Sequence, residues 1–188
     1  MIRFQNVCFA YGDAAVLTDL SFDCPSGAVA WLWGANGAGK TTVTNLALGL
    51  LTPDAGQIEA PTLASAVFQE DRLCEHLTAV ANVRLGLGHR VAAAEILDEL
   101  ALAGLTSQDA GRPVSRLSGG QRRRVALVRA LMRDCDLLCL DEPYTGIDEA
   151  SVDEVVAYTL DRIEHRSVLL VCHDQQIAAR FAPTTVRL

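Results

Sequence analysis

Residues 28–51 decide the fold of this 188-residue chain: AVAWLWGANGAGKTTVTNLALGLL. The first six residues form a continuous apolar run, which is typical of a β-strand buried on both faces. A glycine-rich loop follows, and KTTVTNLALGLL then has the composition of a helix that ends at the turn TPDAG. A buried strand that leads through a glycine loop into a helix indicates an α/β fold with a parallel sheet.

The glycine loop GANGAGKT, Gly34–Thr41, fits the pattern G-x-x-x-x-G-K-[ST]. Its glycines allow backbone N–H groups to turn toward phosphate oxygens, and the N-terminus of the next helix adds a partial positive charge. We expect Lys40 to reach the β- and γ-phosphates and the Thr41 hydroxyl to ligate Mg²⁺. The loop therefore predicts a nucleoside triphosphate site. Its predicted contacts are Gly34, Ala35, Asn36, Gly37, Ala38, Gly39, Lys40, Thr41 and, at the α-phosphate, Thr42.

Strands and helices alternate through the rest of the chain. The first thirty residues alternate polar and apolar side chains, which predicts antiparallel strands. After the loop, the strands ASAVFQ, DLLCL, SVLLVC and TTVRL are separated by segments with helical spacing, and 77–105 is a helical insert rich in Ala and Leu. The predicted fold class is α/β, with a mostly parallel sheet, a small N-terminal antiparallel sheet and a helical insert.

Polar residues stand where three of these strands end. Asp141 and Glu142 follow DLLCL, His173 follows SVLLVC, and Gln69 closes ASAVFQ. Each is, by itself, an ordinary polar residue at a strand end. Ligands of parallel sheets gather at the carboxyl ends of strands, so beside a phosphate loop the catalytic interpretation is favoured. Asp141 then suits a ligand of Mg²⁺, and Glu142 suits a base that polarises the attacking water. His173 could contact the γ-phosphate, and Gln69 could contact the metal or the attacking water.

A second glycine-containing stretch, RLSGGQRRRVALVRALM, spans residues 116–132. A helix N-cap explains Ser118 but not Gly119 and Gly120, since glycine costs about 1 kcal/mol relative to Ala inside a helix. A hydroxyl and two glycines at a helix N-terminus instead suggest a second phosphate contact. The arginines that follow, 122–124, are predicted to be a solvated or ion-paired helix face.

Together these motifs resemble the ATP-binding subunit of an ABC transporter, a P-loop NTPase, over nearly the whole chain. LSGGQ, Leu117–Gln121, matches the signature of that family. The other matches come in the family's order: Tyr11 as the aromatic that stacks on adenine, Gly34–Thr42 as the phosphate loop, Gln69 as the glutamine loop, Asp141 and Glu142 as the magnesium aspartate and catalytic glutamate, Asp148 as the aspartate loop, and His173 as the switch histidine.

The resemblance implies that two such domains pack head to tail around two ATP molecules. The signature residues of one chain, Ser118, Gly119, Gly120 and Gln121, would then contact ATP held by the loop of the other, with Asp148 at the dimer seam. The resemblance also implies ATP and Mg²⁺ as cofactors, with the metal held by Thr41, Gln69 and Asp141. The implied partners are a second ATPase subunit, identical or different, and a transmembrane permease.

The resemblance also implies ATP hydrolysis coupled to transport, by a cytoplasmic subunit held at the inner face of the cell membrane through the permease. The stretch VFQEDRLCEHLTAVANV, residues 67–83, is similar to importers of nitrate, sulfonate and taurine-type anions, which favours import and adds a substrate-binding protein as a partner. The implied division is a catalytic core with an antiparallel subdomain, 1–69 and 133–188, and a helical signature subdomain, 70–132.

Composition narrows the alternatives. The net charge of -7 argues against a nucleic-acid binder, which needs clustered cationic surface. No apolar run approaches the roughly 18 residues that a bilayer span needs. Cys135, Cys139 and Cys172 lie in or beside apolar runs and are predicted to be reduced, buried thiols. A soluble ABC-type ATPase unconnected with transport remains an alternative, as does a P-loop kinase, although a kinase has no use for LSGGQ.

Overall fold

The computed structural model describes residues 1–87, 91–163 and 165–188. The chain divides into two compact units. The core unit comprises Met1–Ala66, Cys135–Asp141 and Ile163–Leu188, and the helical unit comprises Val67–Asp134 and Glu142–Arg162. The boundaries expected from sequence, 1–69 with 133–188 and 70–132, stay a prediction.

Strands and helices follow each other in the order that the apolar pattern predicts. The strands are β1 (Ile2–Tyr11), β2 (Ala14–Cys24), β3 (Val29–Trp33), β4 (Ala55–Glu59), β5 (Ala64–Val67), β6 (Leu137–Asp141), β7 (Ser167–Val171) and β8 (Thr184–Arg187). The helices are α1 (Lys40–Ala47), α2 (Ala79–Leu87), α3 (Ala93–Leu102), α4 (Ser107–Ala110), α5 (Gly119–Leu131), α6 (Glu149–Arg162) and α7 (Gln175–Ala179), with a 3₁₀ turn at Val114–Arg116.

The larger sheet of the core unit has the strand order β5-β6-β7-β3-β8. Strand β7 pairs in parallel with β6 and with β3, and β3 pairs in parallel with β8. Every residue of β6 and β7 is buried, as expected for parallel strands covered on both faces. The predicted fold class is confirmed.

The smaller sheet is antiparallel, with the order β2-β1-β4. Phe4 and Phe22 stack across its first pair of strands with ring centroids 4.7 Å apart. The sequence does not predict β4, because four of its five residues are exposed and it has no apolar alternation. It forms by pairing with β1, from Arg3 opposite Glu59 to Cys8 opposite Ala55.

Strand β5 is shorter than the predicted ASAVFQ. It ends at Val67, so Gln69 lies two residues beyond the strand and does not close it. The physical reason is local to the helical unit, where the carbonyls of Phe68 and Gln69 accept hydrogen bonds from the side chain of Arg123. The strand ends where its backbone finds partners outside a sheet.

The helical unit has its own apolar core and a hydrogen-bonded polar cluster of Glu99, Tyr158 and Arg162. The core residues include Val83 of α2, Ile96 of α3, Val125 of α5 and Val155 of α6, all almost fully buried. This polar cluster joins α3 to α6. Arg162 donates from Nε and Nη2 to the two carboxylate oxygens of Glu99 at 2.7 and 2.8 Å, and the Tyr158 hydroxyl donates to Glu99 Oε2 at 2.7 Å.

Two further predictions concern membrane-spanning segments and the cysteine thiols. In the described ranges, no helix combines the length and the apolar composition required to cross a bilayer. Cys135, Cys139 and Cys172 are buried thiols that form no disulfide, as predicted. Burial, followed by the negative charge of Asp141, raises the pKa of Cys139 far above its ordinary range, so this thiol stays protonated.

Candidate active site

The core unit brings the phosphate loop, Asp141 and His173 to one edge of the parallel sheet. Strand β7 lies between β6 and β3, and all three run in the same direction. The loop follows β3, Asp141 is the last residue of β6, and His173 comes two residues after β7. Ligands of open α/β sheets bind at this edge, outside the carboxyl ends of the strands.

Lys40 closes the phosphate loop on itself. Its ammonium donates to the carbonyl oxygens of Gly34 and Ala35, at 2.8 Å each. Gly39 caps the helix in the left-handed region, with φ +96°, and a Cβ placed there would lie 2.9 Å from side-chain carbons of Val16 and Leu17. Only glycine meets both demands, so the loop pattern has a structural cause within this chain.

The first polar pair of the site is Thr41 and Asp141. The Thr41 hydroxyl donates to Asp141 Oδ2 at 2.7 Å, although the two residues are 100 positions apart. The Asp141 side chain is buried, with 3% of the residue exposed. Hydroxyl and carboxylate oxygens are the hard ligands that Mg²⁺ prefers, so this pair fits the metal that a nucleoside triphosphate carries. Thr42 is buried as well, and its α-phosphate contact stays a prediction.

His173 and Tyr11 are both exposed. The indole N–H of Trp31 donates to the carbonyl of Cys172 at 3.0 Å, which fixes the backbone just before His173. Tyr11 ends β1 with 53% of its surface exposed, and its ring meets Phe9 edge-on with centroids 4.9 Å apart. An exposed aromatic with a supported edge suits stacking on a base, and this role stays a prediction.

The remaining predicted residues belong to the helical unit, which contains Gln69, the signature, Glu142 and Asp148. Glu142 is half-buried and has φ +50°, in the left-handed region. A side chain there costs about 1 kcal/mol, and strain of this kind clusters at active sites. The residue directly after Asp141 therefore has a left-handed backbone conformation, a feature that the sequence does not predict.

Ser118 caps α5 through a capping box with Gln121. The Ser118 hydroxyl accepts from the Gln121 N–H at 3.2 Å, and the Gln121 side-chain oxygen accepts from the Ser118 N–H at 2.9 Å. Because the hydroxyl accepts this bond, its proton stays available for a ligand. The side-chain oxygen of Gln121 is engaged in the cap, which leaves the amide N–H₂ for a nucleotide.

The two signature glycines have different surroundings. A Cβ on Gly119 would meet nothing within 4 Å, whereas a Cβ on Gly120 would lie 2.6 Å from the carbonyl oxygen of Gly146. Gly120 is therefore required by packing inside the helical unit. Gly119 faces open space, which is the expected condition of a residue that approaches a ligand.

The prediction of a solvated arginine face is wrong for Arg123 and Arg124, which are only 3% and 8% exposed. Arg124 donates to the carbonyl of Gly104 at 3.0 Å, to Asp148 Oδ2 at 3.1 Å and to the Ser151 hydroxyl. The ion-paired alternative holds, since Asp148 is a partner of Arg124 and Asp71 of Arg123. The Ser151 hydroxyl, helped by the Arg124 charge, holds the pKa of Asp148 below its usual value.

A signal for the buried arginines exists in the sequence. The segment VALV, 125–128, that follows them is apolar at four consecutive positions, and all four residues are buried. A helix that is apolar all round is buried on all sides, so polar residues in its neighbouring turn must be buried and paired.

Comparison with known proteins decides the family. The family described as ABC transporter matches residues 17–145, more than half of the chain. This chain belongs to the ABC transporter family. It is an ATP-binding subunit with ATPase activity, as the sequence predicted.

Several relatives of this ABC ATPase have names that state their transport. An aliphatic sulfonates import ATP-binding protein, SsuB 3 of Paraburkholderia xenovorans, is 42% identical over 92% of this chain and 70% of its own length. A thiamine import ATP-binding protein, ThiQ of Mesorhizobium japonicum, is 35% identical over 100% of this chain and 80% of its own. These names do not support the soluble alternative.

Solved structures agree with the fold of the ABC ATPase. A dimeric ATP-binding cassette in a post-hydrolysis state, bound to ADP and phosphate, matches with a TM-score of 0.87 at 25% identity. The match covers 100% of this chain and 94% of that chain.

Proposed function

We propose that this ABC ATPase drives import of small sulfonate-type anions through a membrane permease. The support is the similarity to aliphatic sulfonate import proteins over 92% of the chain, together with the importer-like stretch at residues 67–83. The chain would be a peripheral subunit at the cytoplasmic face of the membrane. A substrate-binding protein would deliver the anion to the permease.

The observation that carries the ATPase part of the proposal is the 2.7 Å hydrogen bond between Thr41 and Asp141 beside the phosphate loop. These two residues, with Gln69, would hold Mg²⁺. When bound, Mg²⁺ neutralises charge on the β- and γ-phosphates of ATP. Lys40 would exchange the carbonyls of Gly34 and Ala35 for phosphate oxygens, which carry more negative charge.

The site is completed by a second chain, packed head to tail. The Ser118 hydroxyl would donate its proton to the γ-phosphate bound by the partner, and the open face of Gly119 would admit that phosphate. The N-terminus of α5 would add its partial positive charge. ATP then contributes contacts that exist only when the chains meet, so it shifts the population toward the closed dimer.

Within the closed dimer, Glu142 would polarise the attacking water and accept its proton, while His173 would donate to the γ-phosphate. Loss of that phosphate removes the contacts of Ser118 and Gly119, and the dimer reopens. Opening and closing would move the permease through the helical unit. The cycle couples one chemical step to one conformational step.

The test of the ATPase mechanism is Glu142→Gln, with the exposed residue Glu154 changed to Gln as the matched control. We expect Glu142→Gln to bind ATP, to lose turnover by about a hundredfold or more, and to accumulate as an ATP-bound dimer. Gel filtration with radiolabelled ATP measures both the dimer and the retained nucleotide. Normal turnover in Glu142→Gln with normal turnover in the control removes Glu142 from its assigned role.

The test of the substrate uses the transporter reconstituted in vesicles. Because relatives are named for sulfonates and for thiamine, uptake of a radiolabelled alkanesulfonate is compared with uptake of thiamine. Uptake of the alkanesulfonate that depends on ATP and on Glu142 supports the proposal. Uptake of thiamine without uptake of the alkanesulfonate would contradict the proposal and would indicate thiamine as the substrate.

A further inference from the structure

Helix α5, which begins at the signature, also holds the backbone of the glutamine loop, residues 68–72. Two of its arginines, Arg123 and Arg129, donate to four carbonyl oxygens of that loop. The loop, both arginines and the signature all belong to the helical unit. The glutamine loop is therefore bonded to the helix that carries Ser118 at its N-cap.

Arg123 is the buried member of the pair. Its Nη1 donates to the carbonyl of Phe68 at 2.6 Å and its Nη2 to the carbonyl of Gln69 at 2.7 Å. The Asp71 carboxylate lies 3.3 Å from Nη1 and balances the charge. A guanidinium buried to this degree needs several partners, and its rigid planar fork presents Nη1 and Nη2 to the two consecutive carbonyls in a fixed geometry.

Arg129 continues the same contact along the loop. It donates to the carbonyls of Asp71 at 2.9 Å and Arg72 at 2.8 Å, and burial lowers the pKa of its guanidinium. The Arg72 guanidinium in turn lies 3.7 Å from the centre of the Phe68 ring. The carbonyls on both sides of Gln69 are thus fixed to α5, while the Gln69 side chain is exposed.

We infer that Arg123 is a positioning residue for hydrolysis: it fixes the Gln69 backbone to the signature helix, so that the two move together. This inference rests on the proposed function, in which Gln69 reaches the metal or the attacking water. Displacement of the glutamine loop would then displace the N-terminus of α5. The glutamine loop and the signature would then move as one body, with Arg123 as the buried link between them.

The experiment compares Arg123→Lys with Arg112→Lys, a charge-preserving change at an exposed arginine of the same unit. Lysine keeps the charge opposite Asp71, but its single ammonium ends a shorter side chain and lacks the rigid fork that places Nη1 and Nη2 at the two carbonyls. Hydrogen exchange of residues 68–72, ATP affinity from the fluorescence of Trp31 and Trp33, and ATPase turnover of the assembled transporter are measured for each. Both tryptophans lie in β3, directly before the phosphate loop.

In Arg123→Lys we expect exchange at 68–72 to rise about tenfold and turnover to fall about tenfold, with ATP affinity unchanged. Arg112→Lys should match the wild type in all three. Asp71→Asn keeps the guanidinium–carbonyl bonds. Its turnover should therefore fall less than that of Arg123→Lys, and its exchange at 68–72 should rise less. Wild-type exchange at 68–72 in Arg123→Lys would overturn the inference.

Two measurements keep the test valid if Arg123→Lys does not fold, or if Gln69 has another role. In the wild type, addition of ATP should change exchange at 68–72 and at 119–125 together, and a change in one segment alone overturns the inference. Gln69→Ala tests the proposed function separately. Normal turnover in that variant removes Gln69 from hydrolysis, and the exchange data still decide whether Arg123 fixes the loop.

Discussion

Gly119 and Gly120 are adjacent in the signature, but the structure requires glycine at each of them for a different reason. Gly120 is packed against the backbone of Gly146, whereas Gly119 has nothing within 4 Å of the position that a Cβ would take. A single residue type thus serves internal packing at one position and access for a ligand at the next. The two demands are separable by substitution, because each involves a different set of atoms.

The pair of variants Gly119→Ala and Gly120→Ala separates them. In Gly120→Ala the new methyl group meets the Gly146 carbonyl oxygen at 2.6 Å, so backbone must shift and the free energy of unfolding should fall by about 1–3 kcal/mol. Gly119→Ala should unfold as the wild type does, yet lose ATP-driven dimerisation. Thermal unfolding and gel filtration with ATP measure the two effects. A Gly119→Ala variant that dimerises normally would show that no ligand approaches there.

Residue roles are predictable from sequence where the chemistry is carried by a fixed backbone pattern. The phosphate loop is of this kind, since its glycines, Lys40 and Thr41 act at fixed spacing. The burial of Arg123 and Arg124 is not, because their partners come from distant segments, the carbonyls of 68–69 in one case and Asp148 in the other. Only the apolar run that follows them gives an indirect signal.

At the scale of elements, strands β6 and β7 are predicted because complete burial leaves an uninterrupted apolar run in the sequence. Strand β4 has no such run, since it forms by pairing with β1 and four of its five residues are exposed. The sequence also does not predict the end of β5, because the side chain of Arg123 in α5 bonds the backbone that follows it.

The contact between α3 and α6 depends on one carboxylate. Hydrogen bonds from Arg162, and then from Tyr158, lower the pKa of Glu99 from its ordinary value. A lowered pKa in the folded state means that the stabilisation is complete above the unfolded value, near 4.5, and is lost as pH falls through the folded value.

Glu99→Gln should therefore lower the free energy of unfolding by about 1 kcal/mol at pH 7, and its difference from the wild type should shrink below pH 4.5. Urea unfolding at pH 7 and at lower pH measures both. Asp98→Asn, an exposed carboxylate on the same helix, is the control. A difference between Glu99→Gln and the wild type that is constant across pH would contradict the role of the Glu99 charge.

At the scale of the whole molecule, the predicted residues are divided between two compact units. The core unit carries Lys40, Thr41, Asp141 and His173, and the helical unit carries Gln69, Ser118 and Glu142. Our central claim is that each ATP is bound by Lys40 of one chain and by Ser118 of the other. The claim makes activity a property of the pair, so two different defects in two chains should compensate each other.

The most direct test mixes two variants in the Glu142→Gln background: Lys40→Ala, which lacks the phosphate-loop lysine, and Ser118→Arg, which blocks the signature. Each variant alone should fail to form an ATP-bound dimer, because both of its sites are defective. The mixture should form dimers that retain one ATP each, bound by the intact loop of the Ser118→Arg chain and the intact signature of the Lys40→Ala chain. Dimers of Ser118→Arg alone that retain two ATP, measured by gel filtration with radiolabelled ATP, would contradict the claim.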